Sequence, residues 1–150
     1  MKKENIWTAV MNVAVLTIII LVLTFLSINQ KRFVGPLLIL TGIISLMPAL
    51  FFKIRFRSLK SDIIFGLIDN GLLVIFAIIG AELFGVLGAI VGGAVGNAIT
   101  DALAGIFEGF EAQKIKNGRR TALSVAIGKL AGCLFGAGII LTIAWTIFGL

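Results

Sequence analysis

The sequence predicts an all-α polytopic membrane protein, and three observations carry that expectation. Of its 150 residues, 59% are hydrophobic and only 13% are charged, where soluble chains average about 25% charged. The mean hydropathy is +1.15. The apolar residues also fall in unbroken runs long enough to cross a hydrocarbon layer ~30 Å thick at ~1.5 Å per helical residue. A single transmembrane domain over 1–150 is expected, with five spans near 7–27, 34–52, 62–83, 86–107 and 121–148.

The first run, from Trp7 to Ser27, is followed by Asn29, Gln30, Lys31 and Arg32 rather than by a small-residue cleavage site. It reads as a retained span and not as a signal peptide. The second, Val34 to Phe52, carries Pro36 in its first turn, where a missing N–H does no harm, and Pro48 near its end, where a kink is expected. From Asp62 to Phe107 there are 46 residues without a Lys or Arg. That is too long for one crossing and suits two helices joined by a tight turn near Glu82 to Gly85. The fifth span, Thr121 to Phe148, follows the loop Glu108 to Arg120.

Orientation follows from the basic residues, which collect on the cytoplasmic side of short loops. In the five-span layout Lys2, Lys3, Lys53, Arg55, Arg57, Lys60, Lys114, Lys116, Arg119 and Arg120 share one side, and Lys31 and Arg32 take the other. The N-terminus is thus expected in the cytoplasm. The net charge of +6 sits in clusters between apolar runs, a pattern that sets topology and meets anionic lipid head groups rather than nucleic acid. The membrane is expected to be a prokaryotic-type plasma membrane or an internal one. With one cysteine, Cys133, and no histidine, neither a disulfide framework nor a zinc or haem motif is available.

Two glycine rows predict close helix packing. Gly88, Gly92 and Gly96 recur every four residues in the fourth span, and Gly128, Gly132 and Gly136 do so in the fifth. Small residues at this spacing let helix backbones approach, which matters in lipid because apolar burial does not favour a neighbouring helix over an acyl chain. A glycine zipper of spans four and five, within one subunit or between copies in a homo-oligomer, is expected. No Lys-Ser or Lys-Thr pair follows them, so they are not a phosphate loop.

Three ionisable residues lie inside the spans: Asp69, Asp101 and Lys129. Each costs about 2.5–3.5 kcal/mol at a helix centre on insertion scales, so none is expected to face lipid. Counted from the cytoplasmic ends of their spans, all three lie roughly 9–12 Å deep. Asn70 adjoins Asp69, while Asn97 and Thr100 precede Asp101, with Asn97 on its helical face. Gly66, Asp69, Asn70, Leu73, Ala77 and Gly80 form a stripe on the third span; Ala89, Gly93, Asn97, Asp101 and Gly105 form its counterpart on the fourth. This layer admits two readings. Lys129 and the amides could neutralise the carboxylates in a buried structural clamp, or the carboxylates could line a path for a cation or proton. As a metal site, Asp69 and Asp101 with their oxygen-bearing neighbours suit sodium, magnesium, calcium or manganese. Glu82 at the turn, and Glu108 and Glu111 at the cytoplasmic end, are solvated charges or places where ions arrive.

The stretch Phe65 to Lys114 opens on Phe-Gly, sets an aspartate just before Gly-Leu, continues into an alanine- and glycine-rich helix, and ends with an acidic residue near the cytoplasm. In these features it resembles the first helical hairpin of the vacuolar iron transporter family. The resemblance implies that Asp69 matches the aspartate of the ion path and Glu108 the acidic residue closing the second helix; dimerisation and five crossings fit it too. NAITD stands where that family carries a methionine, and the loop 108–120 is short and basic, so hard cations rather than iron are the expected ions. The function expected overall is translocation or conduction of a small cation by a homo-oligomer embedded in lipid, with Asp69, Asn70, Asn97, Thr100, Asp101 and Lys129 in the path. The rival is a non-transporting scaffold subunit of a larger membrane complex. An enzyme is not expected, since no nucleophile and base pair is visible.

Overall fold

The computed structural model describes residues 6–27, 29–114 and 121–149, apart from the side chains of 107–114. Its helices are α1 (Ile6–Ser27), α2 (Lys31–Ser45), α3 (Met47–Phe51), α4 (Phe56–Lys114) and α5 (Ala122–Ile147). Among the described residues, four helical stretches are long and apolar enough to cross a membrane: Ile6–Ser27, Lys31–Phe51, Phe56–Ile106 and Ala122–Ile147. An all-helical architecture is compatible with lipid, because a helix satisfies its own backbone N–H and C=O groups where water cannot.

The second stretch breaks at Leu46, one residue ahead of α3, which carries Pro48 within its first turn. Proline lacks the donor that would continue the helix from α2. At the far end of α3 Lys53 adopts a left-handed φ of 52°, and the Ile54 N–H donates back to the Ala49 carbonyl at 2.9 Å, closing the corner into α4. That helix begins at Phe56, six residues before the apolar run itself, since nothing between Phe56 and Asp62 breaks a helix. Helix limits and apolar limits are different boundaries.

The 59 residues of α4 do not form a rod. Phe84 (φ −138°, ψ 17°) and Gly85 (φ 63°, ψ −145°) leave helical geometry, and the latter conformation is open to glycine almost alone. The chain doubles back there, within the segment where the sequence places a turn. Gly80 lies against Gly88, Phe76 against Gly92, and Leu73 against Gly96, so the arms 56–83 and 86–114 run antiparallel in contact.

Helix α5 is the centre of the packing, and among the described residues it holds the longest set of buried positions, from Leu123 to Ala144. It starts from a reciprocal cap in which the Ser124 N–H donates to Thr121 Oγ1 and the Thr121 N–H donates to Ser124 Oγ. Its glycine row meets the first arm of α4 in rising order: Gly128 at Asp62 and Leu59, Gly132 at Ile63, Gly136 at Leu67 and Gly71. The two therefore run parallel. On the other side Gly138 meets Gly35 and Ile39, while Gly42 meets Phe135 and Leu134, so α2 runs antiparallel to α5.

The two glycine rows do not face each other. Both close on the first arm of α4, one from each side, because each contributes the backbone-bare face nearest to that arm. One end of the bundle is sealed by Ala9, Ala49, Leu59, Leu123 and Ile127, which gathers the starts of α1, α4 and α5 and the end of α3.

Adjacent glycines on the second arm give a sharp contrast. A Cβ at Gly92 would overlap the Phe76 carbonyl, whereas at Gly93 it would meet Ala77 Cβ at 3.7 Å, an ordinary contact. Gly92→Ala is expected to destabilise the hairpin by about 1–3 kcal/mol and Gly93→Ala by less than about 0.5 kcal/mol, measured by unfolding in lipid or mild detergent.

Candidate functional site

The row Gly88, Gly92, Gly96 continues at the same four-residue spacing to Thr100 and Ala104. Thr100 is 1% exposed and Ala104 7%, so this row is the face that the second arm buries against the first. It delivers Thr100 to Asp69: the Thr100 hydroxyl donates to Asp69 Oδ1 across the hairpin, between residues 31 apart in sequence. The same Oγ1 lies 3.1 Å from the Gly96 carbonyl and 3.0 Å from the Asn97 carbonyl of its own helix. A single hydroxyl proton thus has three acceptors within reach.

Asp101 follows Thr100 by one residue, a turn of about 100° around the helix, and is exposed. Its Oδ2 accepts from Asn97 Nδ2 at 2.9 Å. The expected stripe Ala89, Gly93, Asn97, Asp101, Gly105 accordingly runs along the flank of the contact: a Cβ at Gly93 would still meet Ala77 at 3.7 Å, whereas one at Gly105 would meet nothing within 4 Å. Asp69 and Asp101 lie at one level but on different sides of the second arm. The glycines, which allow the nearest backbone approach, decide which side turns inward.

The stripe on the first arm is divided as well. Gly66 faces α5, where a Cβ would come 2.6 Å from the Lys129 carbonyl and 2.8 Å from the Cys133 nitrogen, whereas Leu73 and Gly80 face the second arm. Asp69 lies between these faces, tied to Thr100 of the second arm. Asn70 is half-buried beside it. Lys129 Nζ sits 5.2 Å from the centre of the Phe65 ring, a cation–π distance.

Asp62 stands at the edge of the third apolar run, and the fold buries it. It is 1% exposed, against the 2.7 Å approach that a Gly128 Cβ would make to its own Cβ. Its spacing held the signal: Asp62, Gly66, Asp69 and Asn70 stand at i, i+4, i+7 and i+8, one side of a helix. Glu82 is exposed near the hairpin tip. The side chains of Glu108 and Glu111 lie outside the described residues.

Among the described residues, no three His, Cys, Asp or Glu side chains gather as a metal-holding group. A cation at this level would meet Asp69 together with neutral oxygens, those of Thr100 and the nearby carbonyls. No family model, curated protein or solved structure matches the chain.

A double-mutant cycle separates the two halves of the layer. Asp69→Ala and Thr100→Val are expected to couple by about 0.5–2 kcal/mol in unfolding free energy, whereas Asp69→Ala and Asp101→Ala, on separate faces, couple by less than about 0.5 kcal/mol.

Proposed function

We propose that the protein moves or conducts a small cation through the membrane along the α4 hairpin, with Asp69 as the principal ion-binding group. The observation that supports this most is the pairing of a half-buried intramembrane carboxylate with a buried hydroxyl from the opposite arm. Ionisable groups held at such depth are costly and commonly belong to ion or proton paths. Asn70, Asn97 and Asp101 add oxygen-bearing side chains at the same level, and Lys129 acts as an internal competing cation. Oxygen donors without histidine suit a proton or a hard ion such as sodium, magnesium, calcium or manganese. Glu82 at the hairpin tip and Glu108 and Glu111 at the opposite end would draw cations to the two mouths. The chain works without a resident cofactor and is not an enzyme in this reading. The likeness of Phe65 to Lys114 to the vacuolar iron transporter hairpin agrees with an ion path at Asp69, though not with iron as the ion.

This reading takes the hairpin arms as two crossings, giving five in all with the N-terminus in the cytoplasm. Lys53, Arg55, Arg57 and Lys60 then lie at the cytoplasmic end, and Lys31 and Arg32 at the other. It also takes the protein as a homo-oligomer. Ala94, Ala98, Asp101, Ala102 and Gly105 lie on one exposed side of the second arm, a surface of small residues around a carboxylate that lipid would not tolerate, and a second copy packed there would cover it. The same exposed surface favours the alternative, a scaffold subunit whose second arm docks another membrane protein.

In liposomes the wild type is expected to carry cation or proton flux that Asp69→Asn and Asp101→Asn each reduce at least tenfold while assembly persists. Absence of flux under proton, sodium, magnesium, calcium and manganese gradients would favour the scaffold. In a Cys133→Ser background, Arg57→Cys is expected to be labelled from the cytoplasmic side and Glu82→Cys from the other; labelling of both from one side would remove the five-crossing arrangement.

A further inference from the structure

We infer that the Thr100 hydroxyl is a two-position contact that responds to occupancy of Asp69. When the carboxylate is empty the hydroxyl donates to it across the hairpin; when a cation sits there the hydroxyl turns its proton to the Gly96 or Asn97 carbonyl and presents oxygen to the ion. The inference rests on the ion-binding reading of Asp69 and adds to it the means by which the site fills.

The geometry carries it. Thr100 Oγ1 has one proton, and three acceptors surround it: Asp69 Oδ1 on the facing arm, the Gly96 carbonyl at 3.1 Å and the Asn97 carbonyl at 3.0 Å. At 1% exposure the hydroxyl exchanges its partner within the protein rather than with bulk water. A donor aimed at Asp69 Oδ1 takes the lone pair that faces the second arm, and a cation shared between that oxygen and Thr100 needs the same lone pair. The two backbone carbonyls remove that conflict, because a rotation about Cβ–Oγ1 moves only the hydroxyl hydrogen and no heavy atom. After rotation the threonine oxygen has lone pairs free for the ion, and every polar group stays satisfied in both states.

A consequence concerns the fold. The Thr100–Asp69 bond is a direct side-chain tie between the two arms. Filling the site therefore exchanges this direct tie for one through the ion, which Asp69 and the threonine oxygen then share across the hairpin. Valine at position 100 would lose the tie and the oxygen together, whereas serine would retain both.

The test uses full-length protein in liposomes, with the gradient that the wild type conducts. Thr100→Val is expected to raise the half-saturating cation concentration about tenfold, with a smaller effect on the limiting rate, and Thr100→Ser to restore it to within about threefold of wild type. Infrared spectroscopy of wild type with 13C at the Gly96 and Asn97 carbonyls gives a second readout: the labelled amide band of one of them shifts to lower frequency when that cation is added. Flux with unchanged half-saturation in Thr100→Val, loss in Thr100→Ser equal to that in valine, or labelled bands unmoved by the cation would overturn the inference and leave transport standing. A wild type without flux would overturn the transport reading itself.

Discussion

The constraint on which this molecule depends is the approach of bare helix backbone to bare helix backbone on both sides of one arm. The segment 56–83 is flanked by glycines at a spacing of four on its partner in the hairpin and by a second such row on α5. In lipid the apolar effect does not choose between a helix and an acyl chain, so shape and the few available hydrogen bonds must hold the bundle. Glycine contributes by absence: where its hydrogen stands, a side chain would overlap the Phe76, Ile63 or Leu67 carbonyl. Remove that closeness and Thr100 no longer reaches Asp69.

The same rows explain how polar groups are placed. On the second arm the row that begins with three glycines ends with Thr100 and Ala104, so the hydroxyl is carried into the contact by the packing that brings the arms together. Asp101, one residue on, is carried out of it. On α5 the matching row runs from Ser124 through Gly128, Gly132 and Gly136, which brings Asp62 against Gly128 and leaves Lys129 beside Phe65. Packing and chemistry are two consequences of one periodicity.

How much of this was legible in the chain depends on which coordinate is asked for. Depth was legible, because a rise of about 1.5 Å per residue and a reversal near Gly85 suffice to bring Asp69 level with Thr100 and Asp101. Azimuth was not: which face of 86–114 turns inward is decided by contacts with the facing backbone, and two small-residue stripes competed for it. The stripe through Asn97 and Asp101 has the polar groups, but the stripe through Gly92 and Gly96 permits the closer approach and takes the inner position. The burial of Asp62 is not legible from the apolar run, whose edge is not the edge of the helix: α4 extends back to Phe56. Pro48 announced the break between α2 and α3, yet the helix yields at Leu46, ahead of the residue that lacks the donor.

The central claim, that α4 folds back at Phe84 and Gly85 and so sets Asp69 beside Thr100, is open to one direct measurement in lipid. Spin labels at Ile68 and Ile99, both on exposed positions next to the pair, would lie within roughly 20 Å of each other in the hairpin, since packed helix axes are about 8–10 Å apart. A continuous helix would hold the same positions roughly 46 Å apart, from 31 residues at about 1.5 Å each. The short distance is the predicted result, and a population centred on the long one would contradict the account.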